Sequence, residues 1–385
     1  MTEADYCPPG IRSRFVQGIN GLTMHVLEAG FEDGPRKRPC VVLLHGFPEL
    51  AYSWRKVMPA LAAQGYHVIA PDQRGYGRTT GWDGRYDGDL DSFRLLNLVR
   101  DTLGLVWAFG YRSVAAVVGH DFGSPVAAWC SIVRPDVFRA VAMMSSPFAG
   151  PPALPPAVLN GAPRAIADPI HDDLARLEPA RKHYQWYYST READGHMRNC
   201  PQGVHAFLRA YYHHKSADWK HNRPYALQSW SAGELAKMPR YYIMDLASGM
   251  AETVAQEMPS ANQIAACSWL TENELGVYSA EYARTGFQGG LQWYRCRTGG
   301  EYTAELQTWA GRSIDVPACF IAGRNDWGPY QKPDDLEKMQ SAACTQMLGC
   351  HVVEGAGHWV QQEQPEAVSA LLADFLRNAG LHGPR

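Results

Sequence analysis

The sequence predicts an α/β fold: a mostly parallel, eight-stranded sheet with helices on both faces and a helical lid inserted into it. Three observations carry that expectation. Short, continuous apolar runs alternate with amphipathic helical patterns over roughly the first 150 residues and again from about residue 316. Strands read this way when both faces of a parallel sheet are covered. A glycine-bracketed turn, Gly119-His120-Asp121-Phe122-Gly123, joins one of these runs to one of these helices. The stretch between the two halves is rich in Trp, Tyr and His at helical spacing and carries few strand signals.

Taken in order, strand-like runs fall at 13–17, 23–29, 40–44, 67–71, 113–119 and 138–144, with helical patterns at 53–64, 91–109 and 122–133. The alternation resumes with strands at 316–323 and 350–354 and helices at 332–342 and 365–378. Pro151, Pro152, Pro155 and Pro156 stiffen the chain just after the sixth strand, where the lid is expected to begin. The division read from this is a core over residues 1–147 and 309–385 and a lid over 148–308.

Composition narrows the function classes. With 385 residues, 46% of them hydrophobic, the chain can bury a large core. A net charge of −3 and the absence of a basic stripe argue against nucleic acid as a partner. The cluster Arg36-Lys37-Arg38 reads as a solvated loop beside Gly34 and Pro35. The nine scattered cysteines form no C-x-x-C pair, so reduced thiols in a cytoplasmic protein are expected. The N-terminus lacks an apolar signal segment, and no apolar run approaches the ~18 residues of a membrane span. His213, His214 and His221 lack Cys or carboxylate partners at ligand spacing, so no metal site is expected. The chain is expected to be a monomer or a homodimer.

The chemistry is read from the turn at Asp121. A strand, a Gly-x-nucleophile-x-Gly turn and a helix form a nucleophile elbow, in which small flanking residues let the backbone push one side chain out of the sheet. Alone, the motif also fits a tight turn that holds an aspartate for no catalytic reason. A serine at the elbow would form an acyl-enzyme. A carboxylate attacks sp³ carbon instead, as in epoxides and alkyl halides, and forms an ester with the substrate. Its partners follow in chain order, acid then histidine. Asp326 follows the strand ending Ile321-Ala322-Gly323, and His358 follows the last strand in Gly355-Ala356-Gly357-His358. His351 is read as opening that last strand, at the wrong end of the sheet. The loop after 138–144, Ser145-Ser146-Pro147-Phe148, offers no carboxylate. Oxyanion donors are expected from the backbone N–H groups of Phe122 and of Phe47 in His45-Gly46-Phe47-Pro48, with Pro48 holding the loop. His45 and His120 are read as imidazoles bonded to local backbone.

These residues resemble the epoxide hydrolases of the α/β-hydrolase fold over nearly the whole chain. His45-Gly46-Phe47-Pro48-Glu49 and Tyr52-Ser53-Trp54-Arg55 are similar to that family's oxyanion loop and following helix, and Gly119–Gly123 to its elbow, where Trp more often stands in place of Phe122. Two lid contexts also match: His183-Tyr184-Gln185-Trp186-Tyr187, and Gly286-Phe287-Gln288-Gly289-Gly290-Leu291-Gln292-Trp293-Tyr294-Arg295. The resemblance implies that Tyr184 and Tyr294 hydrogen-bond an epoxide oxygen. Phenols suit that role independently, since they donate a proton without being ionised at neutral pH. Both could also be amphipathic core aromatics. Tyr187 and Tyr188 are lesser alternatives. The lid is longer than the family's usual one, with an extra stretch around 229–265.

The reaction implied joins a small apolar epoxide and water to a vicinal diol, with no cofactor. The closest alternative is a haloalkane or haloacid dehalogenase using the same Asp–His–Asp set. Such enzymes set a halide-binding Trp or a carboxylate-binding Arg directly after the nucleophile, and Phe122 can do neither. A non-enzymatic binding protein on this scaffold would have lost one of these groups, and every position is filled.

Overall fold

In the computed structural model, residues 7–31, 38–154 and 169–381 are described. Arg36, Lys37, Pro155, Pro156 and the first six residues lie outside them. Eight strands form one sheet in the order β1-β2-β4-β3-β5-β6-β9-β10. They are β1 (Ile11–Ile19), β2 (Leu22–Ala29), β3 (Cys40–Leu44), β4 (His67–Pro71), β5 (Ala116–His120), β6 (Val141–Met144), β9 (Ala318–Gly323) and β10 (Met347–Val353). Strands β1, β2 and β4 pair antiparallel, and every other neighbouring pair is parallel. The β1–β2 turn is Asn20-Gly21, both at positive φ (49° and 84°), the backbone that a two-residue hairpin demands.

Strands β3, β4, β5, β6 and β9 are buried along their whole lengths, as strands covered on both faces must be. The edge strand β10 alternates half-buried and exposed residues, because only one of its faces meets the core. Helices Leu95–Ala108, Gly123–Val133 and Pro365–Asn378 pack on the sheet. No described helix is long and apolar enough to cross a membrane.

Several boundaries differ from expectation. The helix expected over 53–64 is a 3₁₀ turn, Ala51–Trp54, followed by Met58–Ala63. The one expected over 91–109 breaks at Arg94, which is extended. The one expected over 332–342 starts only at Asp335, because Asp334 takes a left-handed φ of 65°. Strand β10 starts at Met347, so His351 is its fifth residue and does not open it.

Between β6 and β9 the described residues are mainly helical, and they also hold a ribbon of β7 (Arg181–His183) and β8 (Ile243–Asp245). Strand β8 comes from the extra stretch around 229–265. By pairing with β7 it buttresses the start of the helix Tyr184–Tyr188, where Tyr184 N–H donates to Tyr242 O at 2.9 Å. The loops after β3, β5, β6, β9 and β10 leave the carboxyl ends of the parallel strands beneath this lid, where open α/β sheets gather their ligands.

Candidate active site

Asp121 stands at the end of β5 with φ 51°, a left-handed backbone that a non-glycine residue adopts at a cost of about 1 kcal/mol or more. The turn is held by Asp121 N–H on Met144 O and Ser124 N–H on Asp121 O, each 3.1 Å. Its two glycines are steric necessities. A Cβ on Gly119 would stand 2.0 Å from Gly123 O, and one on Gly123 2.3 Å from Leu44 O. The side chain is thereby pushed toward the β3 loop, where Phe47 N–H donates to Asp121 Oδ1 at 2.9 Å. Phe122, the other expected donor, is the N-cap residue of the helix Gly123–Val133, at whose start backbone N–H groups lack partners within the helix.

Asp326 and His358 arrive from the ends of β9 and β10. His358 Nδ1 lies 3.0 Å from Asp326 Oδ1, which also accepts the Gly328 N–H at 2.7 Å. His358 Nε2 is turned to Asp121 Oδ2 at 3.2 Å. All three side chains are buried or nearly so. Burial alone would raise the Asp121 carboxyl, but the facing His358 imidazole, with Lys215 and His120 beyond, holds it below its ordinary range. Asp326 likewise stays low: burial opposes ionisation, and His358 with the Gly328 amide outweighs it. Both carboxylates are ionised at neutral pH.

Above them lie the lid tyrosines. Tyr294, in the helix Gln288–Thr298, packs edge-on against Phe47 and Phe122 with ring centres 5.6 Å and 5.2 Å away. Tyr184 stands 6.1 Å from Tyr294, ring to ring. Burial, and then the Asp121 charge, push both phenols above their ordinary range, so both carry their protons. Tyr184 OH donates to Gln331 Oε1 at 2.9 Å and accepts from Gln185 Nε2 at 3.0 Å. The lesser alternatives are engaged elsewhere: Tyr188 OH bonds Tyr211 OH, and Tyr187 OH meets His196 Nδ1. A cavity of about 360 Å³ reaches Phe122 and Trp293 but none of Asp121, His358, Tyr184 or Tyr294, and its lining mixes Trp129 and Phe148 with Arg297, Lys332 and Asp335.

Comparison with known proteins identifies the family. Residues 39–365 match the α/β-hydrolase fold family. The epoxide hydrolase A of Mycobacterium tuberculosis is 34% identical over 93% of this chain and 95% of its own length. This chain belongs to the epoxide hydrolases. The epoxide hydrolase of Caballeronia sordidicola is 30% identical over 93% of this chain and 92% of its own. Among solved structures, an epoxide hydrolase from an endophytic Streptomyces superposes with a TM-score of 0.75 at 31% identity, covering 96% of both chains. Potato epoxide hydrolase I gives 0.71 at 28% identity, covering 96% of this chain and 99% of that one.

Within this epoxide hydrolase the two supporting histidines differ. His45 bonds backbone only, with Nδ1 2.8 Å from the local Gly46 O and Nε2 accepting at 3.1 Å from the N–H of Gln73, 28 positions away, and burial lowers it, so it is neutral. His120 corrects the backbone-only expectation. Its Nδ1 is 2.6 Å from Glu49 Oε2 and its Nε2 2.7 Å from His358 O. Both neighbours are acceptors, so both nitrogens donate. Burial opposes that charge, but Glu49 raises the imidazole above its ordinary value, and the pair is ionic. Glu49 Oε2 also accepts the Gly46 N–H at 2.9 Å, tying the oxyanion loop to the His358 carbonyl.

Sequence reasoning missed Glu49, although a carboxylate inside an otherwise apolar loop was a signal for it. It also missed Glu363, which gathers three backbone N–H groups, those of Ala217, Gly357 and Trp359, at 2.8–3.0 Å. Ser145 Oγ, 3.1 Å from His358 O, replaces the carboxylate absent from the β6 loop as a support. Gln331 and Lys215 carried no sequence signal at all.

Proposed function

We propose that the protein hydrolyses epoxides to vicinal diols through an ester on Asp121. The observation that carries the reading is an ionised carboxylate at the elbow, with one oxygen on the Phe47 N–H and the other 3.2 Å from His358 Nε2, beneath two protonated phenols. Tyr184 and Tyr294 hydrogen-bond the epoxide oxygen while Asp121 attacks a ring carbon from the opposite side. The carbon–oxygen bond of the ring breaks, and one phenol gives its proton to the oxygen that leaves. The Gln185 Nε2 donor on Tyr184 stabilises the phenolate left behind.

His358, oriented by Asp326, then takes a proton from water as the water oxygen bonds to Asp121 Cγ. The oxyanion rests on the Phe47 and Phe122 N–H groups. The Cγ–O bond to the substrate breaks, His358 returns its proton to the departing diol oxygen, and the regained carboxyl reprotonates the phenolate. Nothing in this cycle requires a metal or cofactor.

The dehalogenase alternative lacks the halide donor expected directly after the nucleophile. Phe122 offers only a ring, and the neighbouring Trp293 indole N–H is committed to Arg74 O at 3.0 Å. The test is a single turnover of styrene oxide with excess enzyme in ¹⁸O-water. Label is expected in the Asp121 carboxylate; label confined to the diol would mean direct attack by water.

A further inference from the structure

The lid helix Gly203–Lys215 ends on a lysine that no step above uses. Lys215 is 3% exposed, a place lysine almost never occupies unpaired. Among the described residues, no carboxylate lies within ion-pair distance of its ammonium. Four aromatic rings surround Nζ instead: Tyr242 at 5.2 Å, Trp359 at 5.3 Å, Tyr211 at 5.4 Å and Tyr241 at 5.9 Å from the ring centres. A cation over a ring face is attracted by the ring quadrupole, most strongly where water is excluded. The C-terminal end of its own helix adds negative potential.

The cage is made of the site's own supports. Trp359 follows His358, Tyr242 packs on Tyr184 with centres 5.1 Å apart, and Tyr211 bonds Tyr188, whose ring lies 5.0 Å from Tyr294. Lys215 O accepts the His358 N–H at 2.9 Å, which registers the ammonium against the catalytic loop. Burial lowers the Lys215 ammonium below its ordinary range, and the carboxylates whose charge opposes this are Asp121, Asp326 and Glu49. The other titratable groups around the cage are His214, 4.7 Å from Tyr241 ring to ring, and Glu363, which holds the Trp359 N–H. Three carboxylates against one His120 cation leave the buried cluster negative, and Lys215 offsets that excess.

We propose that Lys215 is a positioning residue for this reaction: its caged ammonium adds to His358 in keeping Asp121 ionised for attack and stabilises the negative charge returning to Asp121 as the ester is cleaved. The proposal rests on the alkyl-enzyme reading. Alkylation removes the charge from Asp121, and hydrolysis restores it by way of an oxyanion on the same carboxyl. A fixed cation close by therefore favours the second step over the first.

The test compares Lys215→Met and Lys215→Gln, which remove the charge, with Lys215→Arg, which keeps it. Rapid quenching during turnover of styrene oxide, followed by intact-protein mass spectrometry, reads the fraction of enzyme held as the ester. Single turnovers across pH read the acid limb of alkylation. In the neutral variants, ester hydrolysis should slow about tenfold, so ester accumulates, and the acid limb should move up by about one pH unit, the scale of one uncompensated charge in such a site. Arg should restore most of both effects. Folded neutral variants with the wild-type ester fraction and acid limb would overturn the proposal. So would an Arg variant as impaired as Met, or two neutral variants that fail to fold while Arg folds normally. If the wild type forms no ester on Asp121, the mechanism itself fails, which is a separate outcome.

Discussion

At the scale of the residue, the site depends on which groups are charged and which keep their protons. Asp121 stays ionised because His358, with Lys215 and His120 beyond, outweighs its burial, and Asp326 because His358 and the Gly328 N–H do, whereas Tyr184 and Tyr294 stay protonated because burial and the Asp121 charge act together. Both phenol hydrogen bonds strengthen as charge builds on the leaving oxygen, so they act on the transition state more than on binding. Tyr184→Phe and Tyr294→Phe should each slow ring opening on the order of 10²-fold, the loss typical of one oxyanion donor. The double variant should nearly abolish it. Diol formation by that double variant at near-wild-type rate, with an unchanged circular dichroism spectrum, would reduce both tyrosines to packing.

At the scale of the element, the helix Tyr184–Tyr188 rests on His183. That imidazole is buried at its N-cap, accepts Gln185 N–H on Nδ1 at 3.3 Å, and lies nearly parallel to the Tyr184 ring. It can accept only while neutral. Burial, with the nearby charges of His171, Arg297 and Lys332, lowers it to about 3. The unfolded chain then binds more protons than the folded one between about pH 3 and the ordinary histidine range near 6.5. Stability should therefore fall as pH drops through that window, by up to about 1.4 kcal/mol per pH unit for this one group. His214, also lowered to about 3 by burial, acts in the same direction. Melting temperatures from pH 7 to 4.5 should fall less steeply for His183→Asn, whose amide can still cap the helix. Parallel slopes for the two proteins would remove His183 from the account.

At the scale of the molecule, lid and sheet are joined by buried polar contacts as well as by packing. Arg55, in the segment after β3, donates to Glu274 on the lid at 3.0 Å, to Gln362 at 2.8 Å and to the Trp269 carbonyl at 3.3 Å, with its own side chain 2% exposed. Tyr212 and Tyr282 reach from the lid to the carbonyls of Pro48 and Glu49, at 2.8 Å and 3.1 Å. Arg55→Met should cost about 1–3 kcal/mol, since it removes charge-assisted bonds to Glu274, Gln362 and the Trp269 carbonyl, although Glu274 keeps Lys56 and Thr271 and Gln362 keeps Tyr278. The change is read from urea unfolding with intrinsic tryptophan fluorescence. A midpoint equal to the wild type's would mean that apolar packing alone holds the lid.

What the sequence determined by itself is what short-range chemistry encodes. The period of the apolar runs decided the strands, and the glycines around Asp121 decided the elbow, because no larger side chain fits there. Chain order then pointed to Asp326 and His358. Tertiary structure decided what depends on groups far apart in sequence. Helix starts shifted where a single residue such as Arg94 or Asp334 took a non-helical backbone. His120 became half of an ion pair because the fold sets Glu49 2.6 Å away, 71 positions distant in the chain. Nothing in the sequence singles out Lys215. Only the closing of the lid over the sheet buries it among four rings, because burial and the field of distant carboxylates are properties of the assembled molecule.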